Sequence, residues 1–370
     1  MSARHRTIQR RGASPPPDES PERALPSLRK SFDALMERRT AAIPTVALSL
    51  DERLALVGRH GDFSLAYSTA VQDDLSYFGD ASGYIAFGRK MGSAVALADP
   101  VAAPAERADL IRRFVEEARD PCFVQIGESS ARLLSGLGYK VNRMGIDTRL
   151  TLTPKTFAGS RNETVRYSER WLFKNGFAIV EDDGSGVHAA EIKQLSDAWR
   201  SQRIVSHREM RFLNRPFRSQ LRKGMRRFML VDPQKRPVAI LDFDPMVENG
   251  ELAGYTTSFK RKLPSITAHA EIGLTKFAAD RLRDEGRKFI TLGLSPLAGM
   301  KESGFAESRL MLSAMQRFYR SPWINRRIFN VEGQAAFKRR FHGDEEPVYI
   351  AFRRLSPFQM LAVLRLSKAF

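Results

Sequence analysis

Two stretches of this chain carry residue types that could handle an acyl group or a phosphate. The first is Phe289-Ile290-Thr291-Leu292-Gly293-Leu294-Ser295-Pro296-Leu297-Ala298-Gly299, a β-branched and aromatic run that ends in a Gly/Pro break. Such a run reads as a buried strand whose backbone opens into a loop at the break. Ligands usually meet an α/β arrangement at the carboxyl end of such a strand, which puts a candidate site near residues 293–301. An ordinary turn after a strand fits the same residues. The second stretch is Arg200 to Arg227. Ten Lys or Arg residues, among them Arg211, Arg218, Arg222, Lys223, Arg226 and Arg227, stand there against Glu209 alone. The segment carries half of the chain's formal +18. Charge runs are commonly solvated faces, but this concentration favours a phosphate-binding surface.

Other chemistries find few residues to work with. His5, His60, His188, His207, His269 and His342 are scattered without ligand spacing and Cys122 adds nothing, so no metal site is expected. Cys122 sits in the apolar run Cys122-Phe123-Val124-Gln125-Ile126 and reads as a buried, inert thiol. There is no G-x-S-x-G elbow, no Walker motif and no G-x-G-x-x-G. Arg89-Lys90-Met91-Gly92-Ser93-Ala94 fits the R-x-x-G-x-A pyrophosphate loop of acyl-CoA-dependent N-acetyltransferases. That loop must lead from a strand into a helix, where amide N–H groups hold phosphate. Val95 to Asp99 reads instead as another strand, so a hairpin turn is expected.

The elements that must position these residues form a repeating order. At 370 residues with 42% hydrophobic content the chain can fold as two domains. Residues 1–40 read as a disordered, basic and Pro-rich tail. Residues 41–160 form a first unit, with a helix from Ser49 or Asp51 and strands at Phe63–Thr69, Ser76–Phe78, Gly83–Phe87 and Ala94–Ala98. A helix from Pro104, a strand at Cys122–Ile126 and a helix at Ser129–Leu137 follow. Residues 161–355 repeat the pattern: helix Arg161–Gly176, a strand from Phe177, helix Ala189–Arg200, a basic helical region, and strands Arg227–Val231, Val238–Phe243 and Leu252–Phe259. Helix Ala270–Glu285 then leads into the strand at Phe289. The expected class is α+β, two similar mixed-sheet units in tandem. Residues 356–370 put Phe358, Leu361 and Leu364 on one helical face, suited either to a membrane interface or to docking on the fold. A pI near 10.3 predicts attraction to nucleic acid or an anionic membrane surface. The N-terminus has no secretory core, and no apolar run approaches the roughly 20 residues that span a bilayer. A cytoplasmic protein, peripheral on the inner face of the plasma membrane, is the expectation.

Several stretches, in order, resemble the catalytic domain of the lysyl- and alanyl-phosphatidylglycerol synthase family. They are Ala98-Asp99-Pro100-Val101, Arg166 with Phe173-Lys174-Asn175-Gly176-Phe177, Leu195-Ser196-Asp197-Ala198-Trp199 and Glu209-Met210-Arg211-Phe212. Leu292 to Gly299, Phe337-Lys338-Arg339-Arg340-Phe341 and Tyr349-Ile350 complete the set, which covers about residues 60–352. The resemblance implies a tandem pair of acetyltransferase-like (GNAT) domains without the membrane-spanning flippase. It also implies transfer of an aminoacyl group from aminoacyl-tRNA to an anionic lipid such as phosphatidylglycerol, with no cofactor. An aminoacyl ester is already activated, so positioning and oxyanion stabilisation suffice.

The same resemblance implies the site. Lys260 and Arg261 would bind phosphate or the acceptor, and Glu271 would orient an amine or hydroxyl. The Gly293–Gly299 loop, with Ser295, would present N–H groups to the reacting carbonyl, with Lys301 and Lys338 as nearby cations and Arg166 as a further substrate-binding position. The basic segment would meet the tRNA acceptor stem or the lipid headgroup. The family's Asp-Leu-Met-Arg is not matched. Lys260 or Arg261 keeps its basic position, and Glu271 or Glu251 could replace its acid. Two rival readings remain: an acyl-CoA- or acyl-carrier-dependent N- or O-acyltransferase, and a non-catalytic binder of nucleic acid or membrane.

Overall fold

The computed structural model describes residues 42–154, 156–201, 211–327 and 330–367, together with Leu35. The expected tail at 1–40, Leu35 apart, lies outside the described residues, as do Arg203, Arg208 and Glu209.

The first half opens with α1 (Leu50–His60), started by a capping box in which Ser49 and Glu52 satisfy each other's backbone N–H groups. Next comes α2 (Ala66–Val71), where a strand was expected over Phe63–Thr69. Every residue of α2 is buried, so the segment has no polar face and its sequence shows no helical period. Strands β1 (Ser76–Asp80), β2 (Gly83–Lys90) and β3 (Ser93–Val101) form hairpins. The turn between β2 and β3 is Met91-Gly92, both left-handed at φ 53° and 72°, so the R-x-x-G-x-A match is a hairpin turn. Helix α3 (Pro104–Ala118), β4 (Cys122–Ile126), α4 (Glu128–Gly136) and β5 (Lys140–Thr151) follow. Cys122 is buried, which pushes its thiol up to about 12.

The second half contains α5 (Glu163–Lys174), β6 (Ala178–Glu181), α6 (Ala189–Ser201), β7 (Arg226–Val231), β8 (Pro237–Glu248) and β9 (Glu251–Lys262). It continues with α7 (His269–Asp284), β10 (Phe289–Pro296), α8 (Arg309–Arg320), α9 (Pro322–Arg327), α10 (Val331–Arg339), β11 (Asp344–Phe352) and α11 (Pro357–Leu366). The basic helical region expected before β7 is absent from its described part: residues 211–225 form turns and bends.

Among the described residues all strands join one eleven-stranded sheet in the order β1-β2-β3-β4-β11-β5-β10-β9-β8-β7-β6. Read outward from the β11–β5 pair, each side repeats antiparallel, parallel and antiparallel neighbours. The α+β class and the repeated mixed-sheet unit are both present. The halves also exchange their closing strands. Strand β5, from the first half, pairs with β10, and β11, from the second, pairs with β4. A cut near residue 160 therefore leaves each half without the strand that completes it. Helices α5 and α7 pack together on one face of the second half-sheet, over Phe228, Leu230, Leu241 and Ile290. Helix α6 covers the opposite face through Ile192 and Leu195 on Met229 and Ile240.

Helix α11 docks on β2 and β3 with Ala362 buried and Leu361, Val363 and Leu366 in the first-half core. Of the expected apolar face, Leu361 docks, whereas Phe358 and Leu364 stay exposed. Among the described residues no helix is long and apolar enough to cross a membrane.

Candidate active site

Strands β9 and β10 are parallel neighbours that separate. They pair only over Gly254–Thr256 and Phe289–Thr291. Beyond that, β10 continues on β5 with a register shift between Thr291 and Leu294. Leu292 and Gly293 fall within the shift and have no place in either register. An opening between parallel strands at their carboxyl ends results, at the place the residues suggested. Gly293 sits at φ +74°, and a Cβ there would stand 3.0 Å from the Thr257 carbonyl oxygen and 4.0 Å from Lys338 Nζ. Both the conformation and the space suit glycine alone. The strand itself runs on to Pro296. The Leu297 N–H is donated to the Met144 carbonyl and the Ala298 N–H to that of Ser295. Of the N–H groups expected along Gly293–Gly299 to meet a carbonyl, those of Leu297 and Ala298 are thus taken by the backbone.

Lys338 and Lys260 bring charge to this opening. Lys338, near the end of α10, is buried and donates from Nζ to the Gly293 carbonyl oxygen at 2.5 Å. Burial pushes its ammonium down to about 7; the nearby charge of Lys260 adds to that and Asp147 opposes it. Lys260 Nζ lies 3.4 Å from Glu271 Oε1, in the first turn of α7, and 3.1 Å from the centre of the Phe337 ring. Phe337 and Lys338 are adjacent on α10, so one helix end supplies both the aromatic platform and the buried amine.

Arg261 does not join them. Strand β9 carries one extra residue opposite Asp242 and Phe243, which shifts its alternation ahead of Phe259. Lys260 then falls opposite Leu241, on the α7 face, and Arg261 opposite Ile240, on the α6 face. Arg261 is buried there, bonded to the Ser196 hydroxyl and stacked near Trp199 and Phe217. The expected catalytic pair is divided between two faces of the sheet.

The remaining expected residues scatter. Arg166 donates to the carbonyls of Phe157 and Gly159, so its guanidinium holds the linker onto α5. Ser295 is buried opposite Ile146 in the β10–β5 pairing. Lys301 is exposed beyond Gly299. Within the basic segment, Arg227 is fully buried on Asp242, and Arg226 bridges Glu181 and Glu285. Neither is a solvent-facing phosphate ligand. Arg215, buried like Arg227, is held by Asp244 and the Ser258 hydroxyl. Arg211 and Arg218 reach solvent beside Asp74 and Asp73, and Lys223 is exposed. Arg218 and Arg222 line a cleft of about 490 Å³ with Lys193, Arg200 and Arg261. That cleft, under α6, is where the segment offers clustered positive charge.

Four residues beside the opening were not legible as site residues. Ser64, from the turn ahead of α2, donates to Asp147 Oδ2 at 2.5 Å and lies 3.1 Å from the Thr291 hydroxyl, which bonds Thr256. Asp147 stands on β5 opposite Leu294, buried, with Oδ1 unpartnered. A lone acid within the apolar alternation of β5 was the available signal, but only the strand exchange brings it to β10.

The comparisons agree with this architecture. The structure of the C-terminal domain of a protein described as a lysylphosphatidylglycerol synthetase, from Agrobacterium fabrum, superposes with a TM-score of 0.70 at 22% identity, covering 87% of this chain and 98% of that one. The structure of L-PGS from Bacillus licheniformis gives a TM-score of 0.69 at 19% identity, covering 86% and 96%. An uncharacterised protein of Corynebacterium glutamicum is 22% identical over 287 residues, 74% of this chain. The chain spans only about a third of that relative's length, 35%. A family profile described as phosphatidylglycerol lysyltransferase, C-terminal, matches residues 54–352. Matched over most of its length, this chain belongs to the phosphatidylglycerol lysyltransferase C-terminal family.

Proposed function

We propose that this protein transfers the aminoacyl group of an aminoacyl-tRNA to a hydroxyl of an anionic glycerolipid, with phosphatidylglycerol as the model acceptor. The observation that carries the reading is Lys338, a buried amine held down to about 7 at the break between β9 and β10. An amine titrating near neutrality is suited to carry a proton in both directions. In its neutral form Nζ accepts the proton of the acceptor hydroxyl as that oxygen attacks the ester carbonyl. The oxyanion that forms is met by N–H groups of the Leu292–Gly293 bulge. Collapse breaks the bond to the terminal ribose oxygen, which takes the proton back from Lys338. Atoms, charge and electrons balance without a further reactant. Lys260 orients the acceptor phosphate, and Glu271 holds Lys260 and receives the ammonium of the aminoacyl group. The cationic cleft under α6 takes the phosphates of the acceptor stem.

The test is reconstitution with purified protein, tRNA charged with one labelled amino acid at a time, and phosphatidylglycerol vesicles. Label that moves into the lipid extract, and is lost after RNase treatment of the tRNA, supports the reading. Label delivered from acyl-CoA instead assigns the other donor. Retained tRNA or vesicle binding with no transfer from either donor favours a binding protein.

A further inference from the structure

Helices α8 and α9 carry a surface that the transfer reading leaves unused. Met311 is buried, Tyr319 packs on the cluster of Ile146, Ala298 and Ala335, and Gln316 Nε2 donates to the Met300 carbonyl at 3.1 Å. One side of α8 is thereby fixed to the end of the β10 loop. The other side is open. Leu310, Ala314, Arg317 and Phe318 recur at helical spacing, and all four are exposed. Leu310 is 72% exposed, Phe318 54%, and Trp323 of α9 61%. Elsewhere large exposed apolar residues stand singly, such as Val187 and Leu252, or in pairs, Tyr167 with Phe173 on α5 and Phe358 with Leu364 on α11. Here three lie on consecutive helices.

Charge runs along the same surface. Arg309, Arg317, Arg320 and Arg326 are exposed, and no acid occurs between Glu307 and Glu332. Cations interleaved with Leu, Phe and Trp are the composition of a helix that lies in a bilayer interface, its apolar side chains among the acyl chains and its arginines on anionic headgroups. Trp at such a boundary satisfies both its ring and its N–H. A nucleic acid would pair the arginines but leave Leu310 in water, so the apolar residues decide for a lipid surface.

We propose that the α8–α9 face seats this protein on an anionic bilayer, with Leu310, Phe318 and Trp323 inserted and Arg309, Arg317, Arg320 and Arg326 on the headgroups. Helix α10 follows directly. Asn325 Nδ2 donates to the Tyr319 carbonyl at 2.7 Å, and Asn325 Oδ1 accepts the Glu332 N–H at 3.1 Å, tying the surface to the helix that bears Lys338. Seating therefore brings the opening at Gly293 to a fixed position relative to the lipid. The inference deepens the transfer reading and rests on it for the nature of the lipid.

The experiment is flotation of the full chain with vesicles of equimolar phosphatidylglycerol and phosphatidylcholine, and with phosphatidylcholine alone. The wild type floats with the first and poorly with the second. The combined variant Leu310→Ser, Phe318→Ser, Trp323→Ser and the variant with all four arginines changed to Gln each lose at least about tenfold in apparent affinity. Circular dichroism melts close to wild type show that these exposed changes leave the fold intact. Wild-type flotation by either variant overturns the proposal. So does a variant that keeps vesicle binding and loses tRNA binding, which assigns the surface to nucleic acid. Flotation needs no turnover, so it separates this proposal from the transfer reading. Transfer to a dispersed short-chain phosphatidylglycerol tests the latter alone, and there the apolar variant stays within about twofold of wild type while transfer to vesicles falls.

Discussion

Lys338 Nζ bonds the carbonyl oxygen of Gly293, the residue at which β10 leaves β9. That contact places a buried amine at the only backbone opening between β9 and β10 that the described pairing contains. If Lys338 carries the proton, kcat/KM rises with pH along a limb centred near 7. Lys338→Met should lower kcat by about 10²–10⁴-fold. Lys338→Arg should abolish the limb, since a guanidinium stays protonated. Rate against pH for the three proteins checks this. An unshifted limb in Lys338→Arg contradicts it.

The two charges acting on Lys338 have opposite signs, so their removal should move that limb in opposite directions. Asp147 holds the lysine up and Lys260 pushes it down. Asp147→Asn should shift the limb to lower pH and Lys260→Met to higher pH. The same profiles measured for the variants decide the matter, since a purely structural role for either residue predicts no directional shift.

Stability carries the same signature. The folded protein holds Lys338 near 7 against an unfolded value near 10.5. Between those values the unfolded chain binds the extra proton, so this group's contribution makes stability rise as pH increases from about 7 to about 10. Below 7 the full penalty of a buried charge remains. Lys338→Met should therefore be more stable than wild type at pH 6, by on the order of a few kcal/mol, with the gap closing towards pH 10. Denaturant melts across that range measure it.

The place where β9 and β10 separate was legible, and the reasons for the misses around it are physical. The glycine after Phe289-Ile290-Thr291-Leu292 marks the opening because its left-handed φ interrupts the pairing there, although the strand itself runs on to Pro296 instead of ending in a loop. Lys338 was visible as a nearby cation, but not its burial. Lys260 and Arg261 were joined because adjacent cations look alike in a sequence. Strand β9 runs past its expected end at Phe259, so the alternation of a strand puts the two on opposite faces, and the extra residue before Phe259, which has no local signature, decides that Lys260 is the one facing α7. Counting charges likewise made Arg227 a surface ligand, whereas Asp242, opposite it on β8, draws it into the core. Asp147 comes to β10 only through strand exchange and Ser64 only by a side-chain contact from the turn ahead of α2, long-range relations that periodicity cannot show.

Arg215 gives a check on that buried network. Arg215→Met leaves Asp244 buried without its cation and should cost about 3–5 kcal/mol in urea melts. Replacing Asp244 by Leu in the same chain should recover part of the loss, because the pair is then removed whole. Additive losses would mean that the two residues do not act as a pair.

Gly293→Ala tests the opening itself. Alanine at φ +74° with its Cβ 3.0 Å from the Thr257 carbonyl should destabilise by about 1–2 kcal/mol. It should reduce transfer by more than tenfold if the bulge N–H groups meet the oxyanion. Melts and single-turnover rates separate the two effects. Loss of stability with unchanged turnover removes the bulge from the mechanism.

The central claim is aminoacyl transfer to lipid, and mass spectrometry of extracted lipids tests it most directly. Cells expressing the wild type are compared with cells expressing Lys338→Met at equal protein level. A phospholipid heavier by one aminoacyl residue, present with the wild type and absent with the variant, is the predicted result. Identical lipid profiles from the two, in cells where the protein is folded and abundant, would contradict the account.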